Sequence, residues 1–476
     1  MYLKQIANHD LAQYAYLVGC QKTGEALLID PLRDIGPYLE IAQSEDLRIT
    51  AVAETHIHAD FVSGTFEFSR LDPSASLYLS AEGGDFWRSE WALGLPSYRP
   101  LRQGNSFKVG NLLVEVLHTP GHTPEHLSFL LTDQGGGADE PVALFSGDFL
   151  FVGDAGRPDL LEQAAGLSGT QEDGARALFK SLNRIADLPD HLQVLPGHGA
   201  GSSCGKALGA VPSSTLGYER RFNHAFKLAL KGNEDGFVSF ILDGQPEPPA
   251  YFARMKSLNR AGPVPLGPEV ALKEFSASDL QAGLSASSWV TVDTRAVEDA
   301  LSSHLIGSQF IARNFFSDFA GSFFEPAEEL LLVAQSADDA KHMQRALRYI
   351  GFDQVVGFVV PETLKELPGT MLRSIPSYPA DRLSGDAPLD GRAVIDVRKA
   401  TERLQGFLDG SLHFPHARIL SAHTEIPEKP LVVHCQSGLR AAGMATFLAR
   451  QGRTDVQCAL GAIRSSIPIH SLAGAR

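Results

Sequence analysis

Two stretches of this chain carry side chains whose types and spacing can do chemistry. The first is Glu54-Thr55-His56-Ile57-His58-Ala59-Asp60-Phe61, which follows an apolar run from Ile49 to Ala53. Three later segments bring matching donors: Thr119-Pro120-Gly121-His122, Phe145-Ser146-Gly147-Asp148 and Leu195-Pro196-Gly197-His198. Imidazoles and carboxylates carried on separate turns and converging on one point are how a fold builds an open transition-metal site. Any one of these histidines alone reads as a surface or hydrogen-bonded residue, whereas the four segments together read as a metal pocket. The run Thr119 to His126 fits a tight turn that aims His122 inward, with His126 a structural neighbour.

The second stretch is Val433-His434-Cys435-Gln436-Ser437-Gly438-Leu439-Arg440. A strand ends on a cysteine, the next residues wrap into a cradle of backbone N–H groups, and an arginine opens a helix. Helix N-terminus and guanidinium together lower a thiol pKa and stabilise negative charge on sulfur. Cys20 and Cys458 lack such a context and read as structural. Cys204, in Gly199-Ala200-Gly201-Ser202-Ser203-Cys204-Gly205, leaves the metal pocket on a glycine-flanked loop and can meet a substrate there.

The elements that must position these groups fall into three parts. Residues 1 to 255 alternate short β-rich runs with turns: Tyr14–Val18 with Ala26–Ile29, then Leu112–Leu117, Leu127–Leu131 and Val142–Phe145. Helical periodicity covers Ala175–Ala186 and Leu216–Leu230, and Gly135-Gly136-Gly137 marks a hairpin tip. Pro- and Gly-rich composition makes 256–270 a linker. Two similar units follow, 271–368 and 372–476. Each has an apolar strand ending in Asp-x-Arg (Asp293 to Arg295, Asp396 to Arg398), a Gly-Ser dipeptide, a second apolar strand and a helix. Pro376 to Gly391 has linker composition. The pattern suits two small α/β domains with parallel sheets. The first unit has Leu332-Val333-Ala334-Gln335-Ser336 where the second has Val433-His434-Cys435, so it cannot carry sulfur covalently and is expected to act as a spacer or docking domain.

At 476 residues the chain is too long for one core. A net charge of −15 argues against nucleic acid and anionic membrane as partners. Four cysteines in such a length are not a disulfide framework, and no apolar segment of spanning length or signal-like start is seen. The expectation is a cytoplasmic protein that assembles as a homo-oligomer.

The four metal segments, in this order, resemble the metallo-β-lactamase superfamily, which implies an αββα sandwich. Two-metal hydrolases of that fold place a histidine directly after the aspartate, where this chain has Phe61. Within the superfamily, Thr55-His56-x-His58-Ala59-Asp60, the turn at His122, Gly147-Asp148 and Gly156-Arg157-Pro158-Asp159 resemble persulfide dioxygenases. The resemblance implies one Fe(II) per chain, held by His58, His122 and Asp148 as a two-histidine, one-carboxylate triad. His56, Asp60 and His198 are then orienting groups, with His56 as a fourth ligand left open. Arg157 is expected to anchor a substrate carboxylate or phosphate, or else to pair with Asp159.

The Cys435 loop resembles the active-site loop of rhodanese sulfurtransferases. Protein tyrosine phosphatases space Cys and Arg with five intervening residues; here Gln436, Ser437, Gly438 and Leu439 make four, a cradle better sized for sulfane sulfur. The whole order resembles bacterial thiosulfate-forming fusions: a metallo-β-lactamase αββα sandwich followed by two rhodanese-like domains. The implied substrates are a low-molecular-weight thiol persulfide and O₂, with sulfite and thiosulfate as products, and Cys435, Arg440 and Cys204 as catalytic groups. A zinc thioester hydrolase resembling glyoxalase II, fused to a sulfur carrier, is the alternative. A sulfur-responsive binding protein is a third class, disfavoured by two complete sites.

Overall fold

A computed structural model of the chain describes residues 1–163, 169–267, 271–284, 289–384 and 391–461. The ends of both expected linkers and the last 15 residues of the expected sulfur domain lie outside these. The described chain divides into two compact units, Met1–Gly267 and Pro268–Arg476.

The first unit contains two six-stranded sheets. One runs in the order β1 (Tyr2–Asn8), β2 (Gln13–Cys20), β3 (Glu25–Ile29), β4 (Arg48–Ala53), β5 (Ser76–Ser80), β6 (Tyr98–Leu101). The other comprises β7 (Ser106–Val109), β8 (Leu112–His118), β9 (Leu127–Asp133), β10 (Ala143–Gly147), β11 (Gln193–Pro196) and β12 (Ser214–Thr215), also in sequence order. Period-two patterning explains the layering. Leu127, Phe129 and Leu131 of β9 join Tyr16, Val18, Leu27 and Ile29 in the core between the sheets. Leu130, one residue out of phase, faces instead the layer holding Leu178 and Leu182 of helix Thr170–Arg184. Helices Gly36–Ser44 and Thr65–Leu71 lie against β4. This is the αββα sandwich that the resemblance implied.

Two elements depart from expectation. The helical run Leu216–Leu230 is broken at Asn223, whose side chain caps a second helix, His224–Leu230, by accepting from Phe226 N–H. The region from 256, expected as linker, begins inside helix Phe252–Ala261, and residues to Gly267 belong to the first unit. Arg33, 1% exposed, holds them there by donating to Val264 O and reaching Glu67, which also accepts Leu266 N–H at 2.8 Å.

The second unit carries two parallel sheets. One orders β15 (Gln309–Phe310), β13 (Val290–Asp293), β16 (Leu330–Val333) and β17 (Val355–Val359), beside a two-stranded pair, β14 (His304–Leu305) with β18 (Leu372–Arg373). The other orders β19 (Ser377–Pro379), β23 (Val456–Leu460), β22 (Leu431–His434), β20 (Ala393–Asp396) and β21 (Leu412–His413), all parallel. Near-continuous apolar runs such as Leu330 to Val333, buried on both faces, are what parallel strands require. No helix among the described residues is long and apolar enough to cross a membrane.

Candidate metal centre and sulfur loop

The ends of β4, β10 and β11 and the turn between β8 and β9 meet at one edge of the sandwich. At the end of β3, Asp30 adopts φ 49° and accepts from Thr55 N–H at 2.7 Å and from Thr55 Oγ1 at 2.8 Å. The Thr55 hydroxyl donates its one hydrogen bond to Asp30, so it accepts from His56 Nδ1 at 2.9 Å. That leaves the lone pair of His56 on Nε2. His122 follows Gly121, where a β-carbon would lie 2.7 Å from the Leu178 backbone, and its Nδ1 donates to Arg157 O at 3.1 Å. Its lone pair is therefore also on Nε2. Asp148 is buried; its N–H donates to His126 Nε2 at 3.0 Å, and His126 Nδ1 meets Thr119 Oγ1 at 2.9 Å. His126 thus orients the site from behind.

Asp148 Oδ2 is buried without a hydrogen bond. It lies 3.6 Å from His122 Nε2 and 4.0 Å from His56 Nε2, so two lone pairs and one carboxylate oxygen face a single point. Ligand bonds near 2.0–2.2 Å would draw them together by a few tenths of an ångström. The donor set fits a transition ion with several positions left for exogenous ligands. Burial would raise the Asp148 carboxyl, but His198 and His122 outweigh it and hold it far below the usual carboxylate range.

This grouping changes the expected set. The expectation joined His58 to His122 and Asp148; the structure brings His56 there instead. His58 points the other way, with Nε2 at 3.1 Å from Glu54 Oε2 and 3.2 Å from Asp30 Oδ1. The physical reason is a buried acidic pair behind the turn. Phe61, fully buried, stacks on the His58 ring with centroids 4.3 Å apart.

Asp60, His198 and Cys204 form an adjoining buried group. His198 Nε2 reaches Asp60 Oδ2 and its Nδ1 reaches Asp148 Oδ1, both at 2.7 Å. Burial would lower the His198 pKa; Asp148, then Cys204 and Asp60, raise it well above the ordinary value. Burial pushes the Cys204 thiol up to about 12, against a lowering pull from His198.

Arg157 takes the second of the two roles expected of it. Fully buried, it forms a bidentate pair with Asp159 (2.9 and 2.6 Å) and donates to Ser203 O at 2.9 Å. All three nitrogens face the protein interior rather than a substrate. Through its carbonyl it also orients His122, so it ties a metal-facing imidazole to the loop that carries Cys204.

In the second unit, Cys435 ends β22 nearly inaccessible, with its Sγ accepting Gly438 N–H at 3.1 Å. Gly438 takes φ 98°, the left-handed turn that starts helix Leu439–Arg450. Arg440 lies beside Cys435, where its charge interacts with the thiol, and forms a fork with Glu402, whose Oε1 is 2.7 Å from Nη2. Gln436 and Ser437 are exposed at the mouth, and Leu439 is half-buried. In the cysteine-less domain, Ser336 merely caps helix Ala337–Tyr349. That domain grips the sulfur-loop helix: Gln309 Nε2 donates to Gly443 O at 2.8 Å and to Thr446 Oγ1 at 3.1 Å, and Phe310 N–H donates to Thr446 Oγ1 at 3.0 Å.

Comparison with known proteins gives these sites a context. Residues 10–198 match the model of the metallo-beta-lactamase superfamily. A crystal structure titled metallo-beta-lactamase, from Staphylococcus aureus subsp. aureus COL, is 40% identical with a TM-score of 0.67, covering 76% of this chain and 99% of that one. The chain belongs to the metallo-beta-lactamase superfamily. Two curated superfamily relatives differ in activity. The human hydroxyacylglutathione hydrolase-like protein is 35% identical over 188 residues, 39% of this chain and 55% of the relative. The mitochondrial persulfide dioxygenase ETHE1 of Mus musculus is 27% identical over 198 residues, 41% of this chain and 67% of the relative. Residues 380–465 match the model of the rhodanese-like domain, and this stretch contains Cys435 and Arg440.

Three residues of this superfamily site went unread in the sequence: Asp30, Glu54 and Asn259. Asp30 follows the apolar strand beside β4, which is the signal that could have placed it at the same edge. Asn259 lies beyond the superfamily match, and no local pattern marks it.

Proposed function

We propose that this chain is a mononuclear Fe(II) persulfide dioxygenase joined to a rhodanese sulfurtransferase. One observation carries the reading: His56, His122 and Asp148 present donors for a single metal, while Phe61 stands where a two-metal hydrolase needs a further imidazole. Persulfide dioxygenase and thioester hydrolase relatives both exist, so this local chemistry is what favours the first. A ferrous ion held by those three residues would supply O₂ chemistry on sulfur. The chain's own contribution is positional. Arg157 O and Thr55 fix the two imidazoles, the buried Phe61 and Phe151 keep bulk water out, and His198, bonded to Asp148 and Asp60 at once, fixes the carboxylate that faces the metal. Cys204 presents a neutral thiol on the same wall.

At the second site the Cys435 sulfur attacks the outer sulfur of a persulfide R-S-SH. The S–S bond breaks, R-SH leaves with a proton, and Cys435 becomes Cys435-S-SH. Sulfite then attacks the outer sulfur, and thiosulfate departs as the Cys435 thiolate is restored with Arg440 beside it. Reverse flow, with thiosulfate as donor, uses the same groups. Fusion raises the effective concentration of sulfite near the carrier.

The test is O₂ uptake with a low-molecular-weight persulfide, with sulfite and thiosulfate quantified for the wild type and for Cys435→Ser. The variant is expected to consume O₂ and accumulate sulfite in place of thiosulfate. Unchanged thiosulfate would remove Cys435 from the reaction, and no O₂ uptake with two zinc ions per chain would favour the thioester hydrolase.

A further inference from the structure

The third buried donor cluster, Asp30, Glu54 and His58, is used by neither step above, yet its histidine belongs to the motif that normally serves metal. The His58 ring lies beside His56, with centroids 4.3 Å apart, so a turn of its side chain would bring a nitrogen towards the metal point. Three contacts hold it away. Glu54 Oε2 and Asp30 Oδ1 flank Nε2 at 3.1 and 3.2 Å. Glu54 is itself fixed, because its Oε1 accepts the hydroxyls of Ser63 and Thr65. Phe61 covers the ring's other face.

The backbone beneath these rings is clamped from a distant helix. Asn259 Nδ2 donates to His58 O at 2.8 Å and to Phe61 O at 2.7 Å, while its Oδ1 accepts Ser63 N–H at 2.8 Å. Its own carbonyl accepts the Trp91 indole N–H at 3.1 Å. One amide thus sets the height of both stacked residues and of the serine that holds Glu54. A cavity of about 20 Å³, room for about one water, adjoins Glu54, His58, Ser63 and Asn259, so the packing around the clamp is not complete.

We infer that Glu54, Asp30 and Asn259 form a clamp that withholds His58 from the metal and keeps the centre at two imidazoles and one carboxylate. The inference rests on the single-metal reading above and deepens it. A fourth protein ligand would occupy one of the positions that a persulfide and O₂ need side by side. Asn259, Glu54 and Asp30 act through His58 and are positioning residues.

The experiment loads the full chain with Co(II) and counts metal per chain and imidazoles per metal by X-ray absorption. The wild type should hold one cobalt with two imidazoles. Glu54→Gln and Asn259→Ala should rise to three imidazoles, with the metal released to a chelator more slowly than from the wild type. Should those variants not fold, His58→Ala decides: the clamp requires one cobalt and two imidazoles, unchanged. Three imidazoles in the wild type, a fall to one in His58→Ala, or folded clamp variants that stay at two would overturn the inference while leaving the single-metal reading intact. Two cobalt ions in the wild type would overturn the single-metal reading itself.

Discussion

His198 donates from Nδ1 to Asp148 Oδ1 across 2.7 Å, and its other ring nitrogen meets Asp60 at the same distance. Both nitrogens are committed to carboxylates, so neither offers a lone pair to a metal. The imidazolium instead turns Asp148 so that Oδ2 faces His56 and His122. His198→Ala should therefore retain one metal site but weaken it, by about 10- to 100-fold in affinity, as loss of an orienting partner does. Titration with Fe(II) under anaerobic conditions measures it; complete loss of binding would instead make His198 a ligand.

Arg157 reads from sequence either as a substrate anchor or as a partner of Asp159, and its burial predicts the phenotype of the second. Truncation would take the guanidinium away from the buried Asp159 carboxylate, at a cost of about 3–5 kcal/mol. Arg157→Ala should then lower the melting temperature of the first unit and loosen the Cys204 loop through Ser203. A substrate anchor would raise KM and leave the melting temperature unchanged, so calorimetry alongside steady-state kinetics separates the two.

The limits of sequence reading follow from these residues. The repeated Asp-x-Arg strands and the Cys–Arg spacing made the parallel sheets and the Cys435 loop legible, because each depends on short-range pattern. The sandwich and the meaning of Phe61 were legible only through the resemblance that the metal segments carry. Which of His56 and His58 faces the metal was not, since the choice is made by Asp30, more than twenty residues earlier, and by the acidic pair it forms with Glu54. Arg157 and Asp159 are two apart and either pair or point away; only burial decides. Asn259 acts on backbone groups some two hundred residues away through its side-chain amide, which leaves no trace in periodicity. The break at Asn223 was readable in principle as an N-cap but was hidden inside a continuous apolar repeat.

The cysteine-less domain is coupled to the sulfur loop through Thr446. Its hydroxyl accepts from both Gln309 Nε2 and Phe310 N–H, at 3.1 and 3.0 Å in a fully buried setting. Thr446→Val keeps the shape and leaves a backbone donor without a partner, at about 1–3 kcal/mol. The expected outcome is a lower denaturation midpoint for the second unit together with slower thiosulfate formation, because the helix that carries Arg440 loses its backing. Wild-type rates in a destabilised variant would show that the grip is structural only.

Acid should weaken the second unit before the first step of carboxylate titration is reached. His434 is fully buried; desolvation is the main cause, and Arg398 and Arg403 add to it against Asp396, lowering its pKa to about 4. His416 is lowered to about 4 by burial and by Arg440 and Lys399, with Asp318 opposing. Unfolded histidine titrates near 6.5. Between those values the unfolded chain binds more protons than the folded one, so stability is complete above the unfolded value and falls as pH drops through the window. Each histidine should cost about 1 kcal/mol by pH 5.5. Hydrogen exchange on helix Leu439–Arg450, corrected for intrinsic rates, should show protection falling between pH 7.5 and 5.5, and His434→Gln should flatten that dependence. Equal protection at both values would mean that these imidazoles titrate alike in the folded and the unfolded chain.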